Sequence, residues 1–335
     1  MSVKRGIVHV VTVAVFVFFL NGLSLASNPI VFKLGTVDNP KMHSGIGSEA
    51  FAKEVKRLSG GTMEVKVFHA GKLGNIPTQL ENVLSGSQDM HLLYSEFLGG
   101  FIPESKVLCL PYVFKSLDHL QKFYKSDIWK KALAKMERKG AVVIDPTWTW
   151  FIHDPRGFVC TRPIFTPKDM KGLKLRIWEA KAAIATWKGF GANPIVVPRP
   201  EMYLAFKQGI IEAGPETIGI AYAQKNVEMA KYFVRTEEYY QILNIMINKR
   251  KWESLNDSQQ NILREAMLIA GKVFSEATRK NWEEKKRQSN LEYGVSVIEP
   301  ALKPWRAAGK ATVDRLVKDN FVSKELIDGI RALEN

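Results

Sequence analysis

Cysteine is nearly missing. The chain carries 2 in 335 residues, so no disulfide framework holds it together and a packed apolar core must do so. Histidine is scarce as well: 6 are present, at 9, 43, 69, 91, 119 and 153, and no two stand four apart, which excludes a paired-histidine zinc helix. No G-x-S-x-G and no P-loop occurs, so a serine-hydrolase elbow and a Walker nucleotide site are both excluded. Gly45-Ile46-Gly47 begins a dinucleotide fingerprint, but Ala50 stands at its third glycine; it reads as a tight turn into a helix. No internal repeat, low-complexity tract or Pro/Gly linker breaks the chain. No metal, cofactor or catalytic set is therefore expected, and the chain does not read as an enzyme.

Long apolar runs are also missing after the start of the chain. Residues 7–20 are almost wholly apolar, Lys4 and Arg5 precede them, and Ser24 and Ala26 supply small residues before Ser27. This is the layout of a cleavable signal peptide over 1–26, followed by an exported chain. The run is shorter than the roughly 20 residues that a membrane span needs. Hydrophobic residues make up 46% and charged residues 24%, an ordinary globular balance. Net charge is +14, but the basic residues are scattered and their runs are as short as Lys285–Arg287. Without a basic stripe interleaved with aromatics, no nucleic-acid partner is expected; the charge serves solubility and a pull on anionic ligands.

What is present alternates between strand and helix. Val31–Gly35, Met63–Phe68, Met90–Tyr94, Ala141–Asp145, Lys174–Trp178 and Gln241–Asn248 read as strands. Between them, residues 46–58, 78–85 and 201–208 read as helices, stopped by Ser59-Gly60-Gly61, Gly86 and Gly209. Thr166-Pro167-Lys168-Asp169 is a helix-start signal. This rhythm predicts an α/β protein with largely parallel sheet. Residues 258–290 differ: Ile262, Ala266, Ile269, Val273 and Ala277 keep helical spacing into a highly charged second half. That predicts one long helix, capped by Asp257 or Ser258 and long enough to span two lobes. Cys109 and Cys160, flanked by apolar residues, read as buried thiols, with a disulfide between them left open.

Several short segments recur in a telling order: Phe51-Ala52-Lys53-Glu54-Val55, Ala70-Gly71-Lys72-Leu73-Gly74, Leu110-Pro111-Tyr112-Val113-Phe114, then residues 169–176 (DMKGLKLR), Gly191-Ala192-Asn193-Pro194 and Glu201-Met202-Tyr203-Leu204-Ala205. As an ordered set they resemble the solute-binding proteins of TRAP (tripartite ATP-independent periplasmic) transporters, over nearly all of residues 30–335. The resemblance implies a periplasmic binding protein fold with two α/β lobes around a ligand cleft and a long helix spanning both. It places lobe I at 27–153 plus 242–281, and lobe II at 154–241 plus 282–335. It implies capture of a small organic anion and delivery to a membrane permease, in the periplasm, by a monomer. A ligand sensor docking a receptor is the alternative, and an exported enzyme the weaker one.

The family's main ligand arginine follows the D-x-K-G turn, which here gives Arg176. A planar guanidinium clamps a carboxylate with two parallel hydrogen bonds. Arg156 stands 20 residues earlier, at the spacing of a second family arginine. Two departures follow. Where the family has an asparagine this chain has Glu216, or Thr217 after a one-residue shift, and where it has an aromatic this chain has Arg199. Glu216 implies a ligand with a positive or donor group, or an internal pair with an arginine; Arg199 offers a third cation. Trp178, two residues past Arg176, projects from the same strand face. Trp150, beside Trp148, is a candidate pocket wall, and Tyr94, with Ser95 and Glu96, ends a strand whose counterpart in the family it resembles faces the cleft. A carboxylate or sulfonate, a zwitterionic amino acid and an aromatic keto acid all remain open as ligands.

Overall fold

Three apolar strands, β1 (Ile30–Gly35), β2 (Met63–Phe68) and β3 (Met90–Tyr94), pair in parallel through crossover helices α1 (His43–Leu58) and α2 (Ile76–Ser85). This is a computed structural model, and it describes residues 28–334; the expected signal peptide lies outside the described residues. Helices α3 (Leu117–Lys125) and α4 (Asp127–Lys139) share Ser126 at their junction, whose hydroxyl accepts from the Trp129 amide and starts the second helix. Short strands β4 (Ala141–Val143) and β5 (Trp150–Phe151) end this stretch.

The chain then crosses to a second sheet. It runs through β6 (Arg156–Cys160), β7 (Lys174–Ile177), α5 (Lys181–Gly189), β8 (Asn193–Val196), α6 (Met202–Lys207), β9 (Ala213–Thr217), α7 (Ile218–Ala223) and β10 (Tyr232–Val234). It returns as β11 (Ile242–Asn248), which lies between β3 and β4 of the first sheet, and continues through α8 (Lys249–Glu253) into α9 (Asp257–Tyr293). The strand β12 (Ser296–Ile298) rejoins the second sheet. Among the described residues the two sheets run β2-β1-β3-β11-β4, with β5 on β11, and β12-β10-β6-β9-β7-β8.

The sheets are mixed rather than largely parallel. Both strands that follow a crossing, β6 and β11, pair antiparallel with their neighbours. A strand entering a sheet straight from the other lobe has no crossover helix to turn it round, so the parallel rule for β-α-β units does not bind it. The connections at 152–155 and 235–241, and α9 itself, join the two halves. Tyr112 ties the second connection to the first lobe: its amide donates to the Glu238 carbonyl (2.7 Å) and its hydroxyl to that of Thr236 (2.8 Å).

The long helix is 37 residues, from 257 to 293, against 258–290 read from sequence. Its cap is Asn256, one residue before the expected pair: the side chain accepts from the Gln259 amide while Gln259 returns a bond to the Asn256 amide. Gly294, at φ 70°, ends it. Its first half packs on α1 and β5 and its second half on α7. Asn256→Ala should cost about 1 kcal/mol of stability, the usual value for a lost cap, read as a shifted denaturation midpoint with an unchanged slope.

Helix α10 (Leu302–Lys318) packs on α5, while α11 (Lys324–Ala332) lies against the first lobe, where His119 Nε2 and the Ile330 carbonyl are 2.8 Å apart. Cys109 and Cys160 are two free, buried thiols, the second pushed up to about 12 by burial.

Candidate functional site

The sheets meet at the ends of their central strands, and polar side chains collect there. Arg176 comes from β7, an inner strand between β8 and β9, and is 3% exposed. Its Nε donates to the Val197 carbonyl at 2.8 Å. Among the described residues no carboxylate lies within 4 Å of it. Burial, with Arg199 and Arg156 nearby, lowers its pKa from the usual 12.5 to about 9, against the opposing pull of Glu216. A buried guanidinium without an ion pair is a standing demand for an anion.

Arg156, the first residue of β6, is different. Its Nε is 3.0 Å from Glu238 Oε1, its Nη1 donates to Gln241 Oε1 at 3.0 Å, and its guanidinium carbon lies 4.4 Å from the Tyr239 ring centre. Its charge is met from within. Gln241 in turn donates to Glu96 Oε1 at 2.6 Å. Trp178, just past the end of β7, stands 5.4 Å from the Arg156 guanidinium and 5.9 Å from the Phe97 ring, between the two halves.

Arg199 sits on a short turn, Arg199–Glu201, ahead of α6. Its Nη1 is 3.9 Å from Asp38 Oδ1 in the first lobe, and its guanidinium lies 5.7 Å from the Tyr94 ring. Asp38 also accepts from the Tyr94 hydroxyl (2.5 Å) and the Ser44 hydroxyl (2.6 Å). A pocket of about 270 Å³, lined by Val37 and Asn39 on one side and Arg199, Tyr203 and Asn226 on the other, opens beside this pair.

Glu216, on β9, makes no ion pair within 4 Å among the described residues, of the kind the sequence left open. It accepts from Asn226 Nδ2 at 3.0 and 3.3 Å. Burial pushes its carboxyl up to about 7, opposed by Asn226 and the three arginines.

Two expected site residues are engaged otherwise: Trp150 lies apart from this cluster, and Thr217, opposite Arg156 in the sheet register, caps a helix. Trp150 is fully buried in the first lobe, where its ring stacks on Phe274 at 5.2 Å and its Nε1 donates to the Met267 carbonyl at 2.8 Å. Strand alternation sends it toward α9. The Thr217 hydroxyl caps α7, accepting from the Ile220 amide. Conversely, the sequence reading passed over Asp38, Glu238, Tyr239, Gln241 and Asn226. The run Thr236–Gln241, four polar groups and two tyrosines directly before an apolar strand, was the available signal.

A larger cavity of about 570 Å³ lies elsewhere, between Tyr112, Tyr240 and α10. Two of its cations are already paired, Lys115 with Glu334 and Lys310 with Asp314. Among the described residues, the buried arginine without an ion pair, Arg176, is in the cleft.

A family model described as bacterial extracellular solute-binding protein, family 7, matches residues 34–320. The 2,3-diketo-L-gulonate-binding periplasmic protein of Escherichia coli is 28% identical over 316 residues, 93% of each chain. A TRAP periplasmic solute-binding protein of Chromohalobacter salexigens, solved with bound D-glucuronate, superposes with a TM-score of 0.81 at 24% identity, over 90% of this chain and 100% of that one. A TRAP periplasmic solute-binding protein of Fusobacterium nucleatum, with bound sn-glycerol-3-phosphate, gives 0.82 at 25%, over 90% and 96%.

Proposed function

Because the chain belongs to family 7 of the bacterial extracellular solute-binding proteins, we propose that it is the solute-capturing component of a TRAP transporter, and that its ligand is a small carboxylic acid carrying hydroxyl groups. The observation that carries the ligand assignment is Arg176: a buried guanidinium with one carbonyl partner and no carboxylate within 4 Å among the described residues. An acid group on it would gain a charge-assisted, desolvated pair.

The remaining lining favours hydroxyls over a second acid. Asp38 and Glu96 are acceptors when ionised, and each would repel a second carboxylate while accepting from an alcohol. Diketo-L-gulonate and D-glucuronate, the ligands named for two similar proteins, carry one carboxylate on a polyhydroxylated chain. Trp178 and Phe97 supply the apolar wall that small-ligand sites use.

In this reading the lobes, with α11 docked on the first rather than the second, close about the connections at 152–155 and 235–241. The closed form is then delivered to a membrane permease by an exported, monomeric protein without catalysis.

The test is a thermal-shift and calorimetry panel of uronates, aldonates, C4-dicarboxylates and amino acids on residues 27–335. A hydroxylated mono-acid should raise the melting temperature, with about 2.7 kcal/mol of stabilisation at 100 times its Kd. Binding confined to dicarboxylates or amino acids would overturn the ligand class, and turnover of a bound compound would overturn the transport role.

A further inference from the structure

The cleft encloses an unequal set of charges. Arg156, Arg176 and Arg199 bring three guanidiniums. Asp38, Glu96, Glu216 and Glu238 bring four carboxyl groups, each 3% exposed or less. A carboxylate ligand on Arg176 adds a fifth acid to the same low-dielectric volume. Like charges confined together do not all stay ionised.

The contacts identify which acid yields. Asp38 accepts from two hydroxyls and faces Arg199. Glu238 faces Arg156 Nε at 3.0 Å and accepts from Thr236 Oγ1 at 2.6 Å. Glu96 accepts from Gln241, which is itself bonded to Arg156. Glu216 has only the neutral amide of Asn226 within hydrogen-bonding distance. Its strand lies beside that of Arg176, close enough that a methyl on Gly214 would sit 3.7 Å from Arg176 Cβ. Glu96 too has one neutral amide partner, but Glu216 is the carboxylate whose strand lies next to the ligand's anchor.

The groups that act on it most strongly are three cations and one neutral amide. Arg176 comes from β7, Arg199 from the turn after β8, Arg156 from β6, and Asn226 from the turn after α7. The one acid on that turn, Glu228, is engaged by the Tyr203 hydroxyl at 2.7 Å. Even so, burial outweighs the three arginines and holds the carboxyl near 7.

We propose that capture of a carboxylate takes up one proton from solvent, held on Glu216 beside Arg176, so that this residue meets the ligand as a neutral hydrogen-bond donor. This rests on the carboxylate-binding reading above. It explains how a glutamate can stand in such a site without repelling the bound acid.

The sign follows. Below about pH 7 Glu216 already carries its proton, and capture takes up almost none. Above pH 7 the proton must come with the ligand, so uptake rises toward one and affinity falls by up to about tenfold per pH unit.

The experiment is calorimetry with D-glucuronate in paired buffers of different ionisation enthalpy, from pH 5.5 to 8.5. The expected result is uptake rising from near zero to about one proton in the wild type, and none at any pH in Glu216→Gln, whose affinity is then flat with pH. Uptake that persists in Glu216→Gln and vanishes in Glu96→Gln would overturn the assignment, as would a pH-independent wild type. Infrared difference spectra of ligand-free wild type against Glu216→Gln give a readout without ligand. A protonated-carboxyl band lost near pH 7 supports the proposal, and one lost below pH 5 overturns it. Absence of glucuronate heat at every pH bears on the ligand reading alone, and the infrared titration then decides for Glu216.

Discussion

Arg176→Ala should abolish tight capture of an acidic ligand while leaving the ligand-free protein at least as stable as the wild type. Removing one partner of a buried, hydrogen-bonded charge pair costs about 2–5 kcal/mol, much of it the penalty of leaving the other charge unpaired. At about 1.4 kcal/mol per decade that is roughly a 30- to 3,000-fold loss of affinity. The effect on the empty protein runs the other way. Burial and the charges of Arg199 and Arg156 already disfavour the Arg176 cation, and no carboxylate lies within 4 Å among the described residues. Deleting it relieves repulsion instead of breaking a bridge. Arg176→Lys should recover only part of the affinity, because an ammonium cannot make the paired planar contact. Calorimetry and thermal melts of the three proteins decide it: wild-type affinity in the alanine variant would remove Arg176 from the site.

Trp150→Ala should do the reverse and destabilise the fold by about 3–5 kcal/mol without moving ligand affinity. The indole is clamped between two helices at two glycines: a methyl on Gly47 of α1 would lie 2.7 Å from the ring, and one on Gly271 of α9 would lie 2.8 Å from it. Its stack on Phe274 and its bond to the Met267 carbonyl add to the seam. Neither glycine side can close over the hole, because helix backbones cannot approach further without shifting their other contacts. Denaturant melts should show a reduced midpoint, and titration of the folded variant an unchanged Kd. Lost affinity at wild-type stability would instead return Trp150 to the pocket wall.

These two residues also mark what was legible in the chain. The strands that alternate, such as Met63–Phe68, and the long helix declare themselves through period alone. Arg176 stands out only through the family resemblance, which places a ligand arginine after the D-x-K-G turn. Trp150 was misread because nearness along the chain to Arg156 is not nearness in space: β5 turns Trp150 toward α9 and Phe151 to the other face. The β9 strand was hidden by Gly214-Pro215, which reads as a turn, yet Pro215 sits opposite Phe158 inside the sheet. Asp38 and Glu238 come from irregular connections with no period to betray them. They become buried only when the other half of the molecule covers them, which no local pattern encodes.

The long helix has a mechanical consequence. Its 37 residues run for about 55 Å without a proline, fixed to α1 at one end and to α7 at the other. A rod held at both ends turns any change in the angle between its supports into curvature. With no proline to localise a kink, that curvature must spread over several turns, as stretched and shortened carbonyl bonds on opposite sides of the rod. If the lobes close as proposed, α9 stores work as they leave their resting angle and returns it when they are released. Its stiffness, set by residues that touch no ligand, is a handle on how fast the protein lets go.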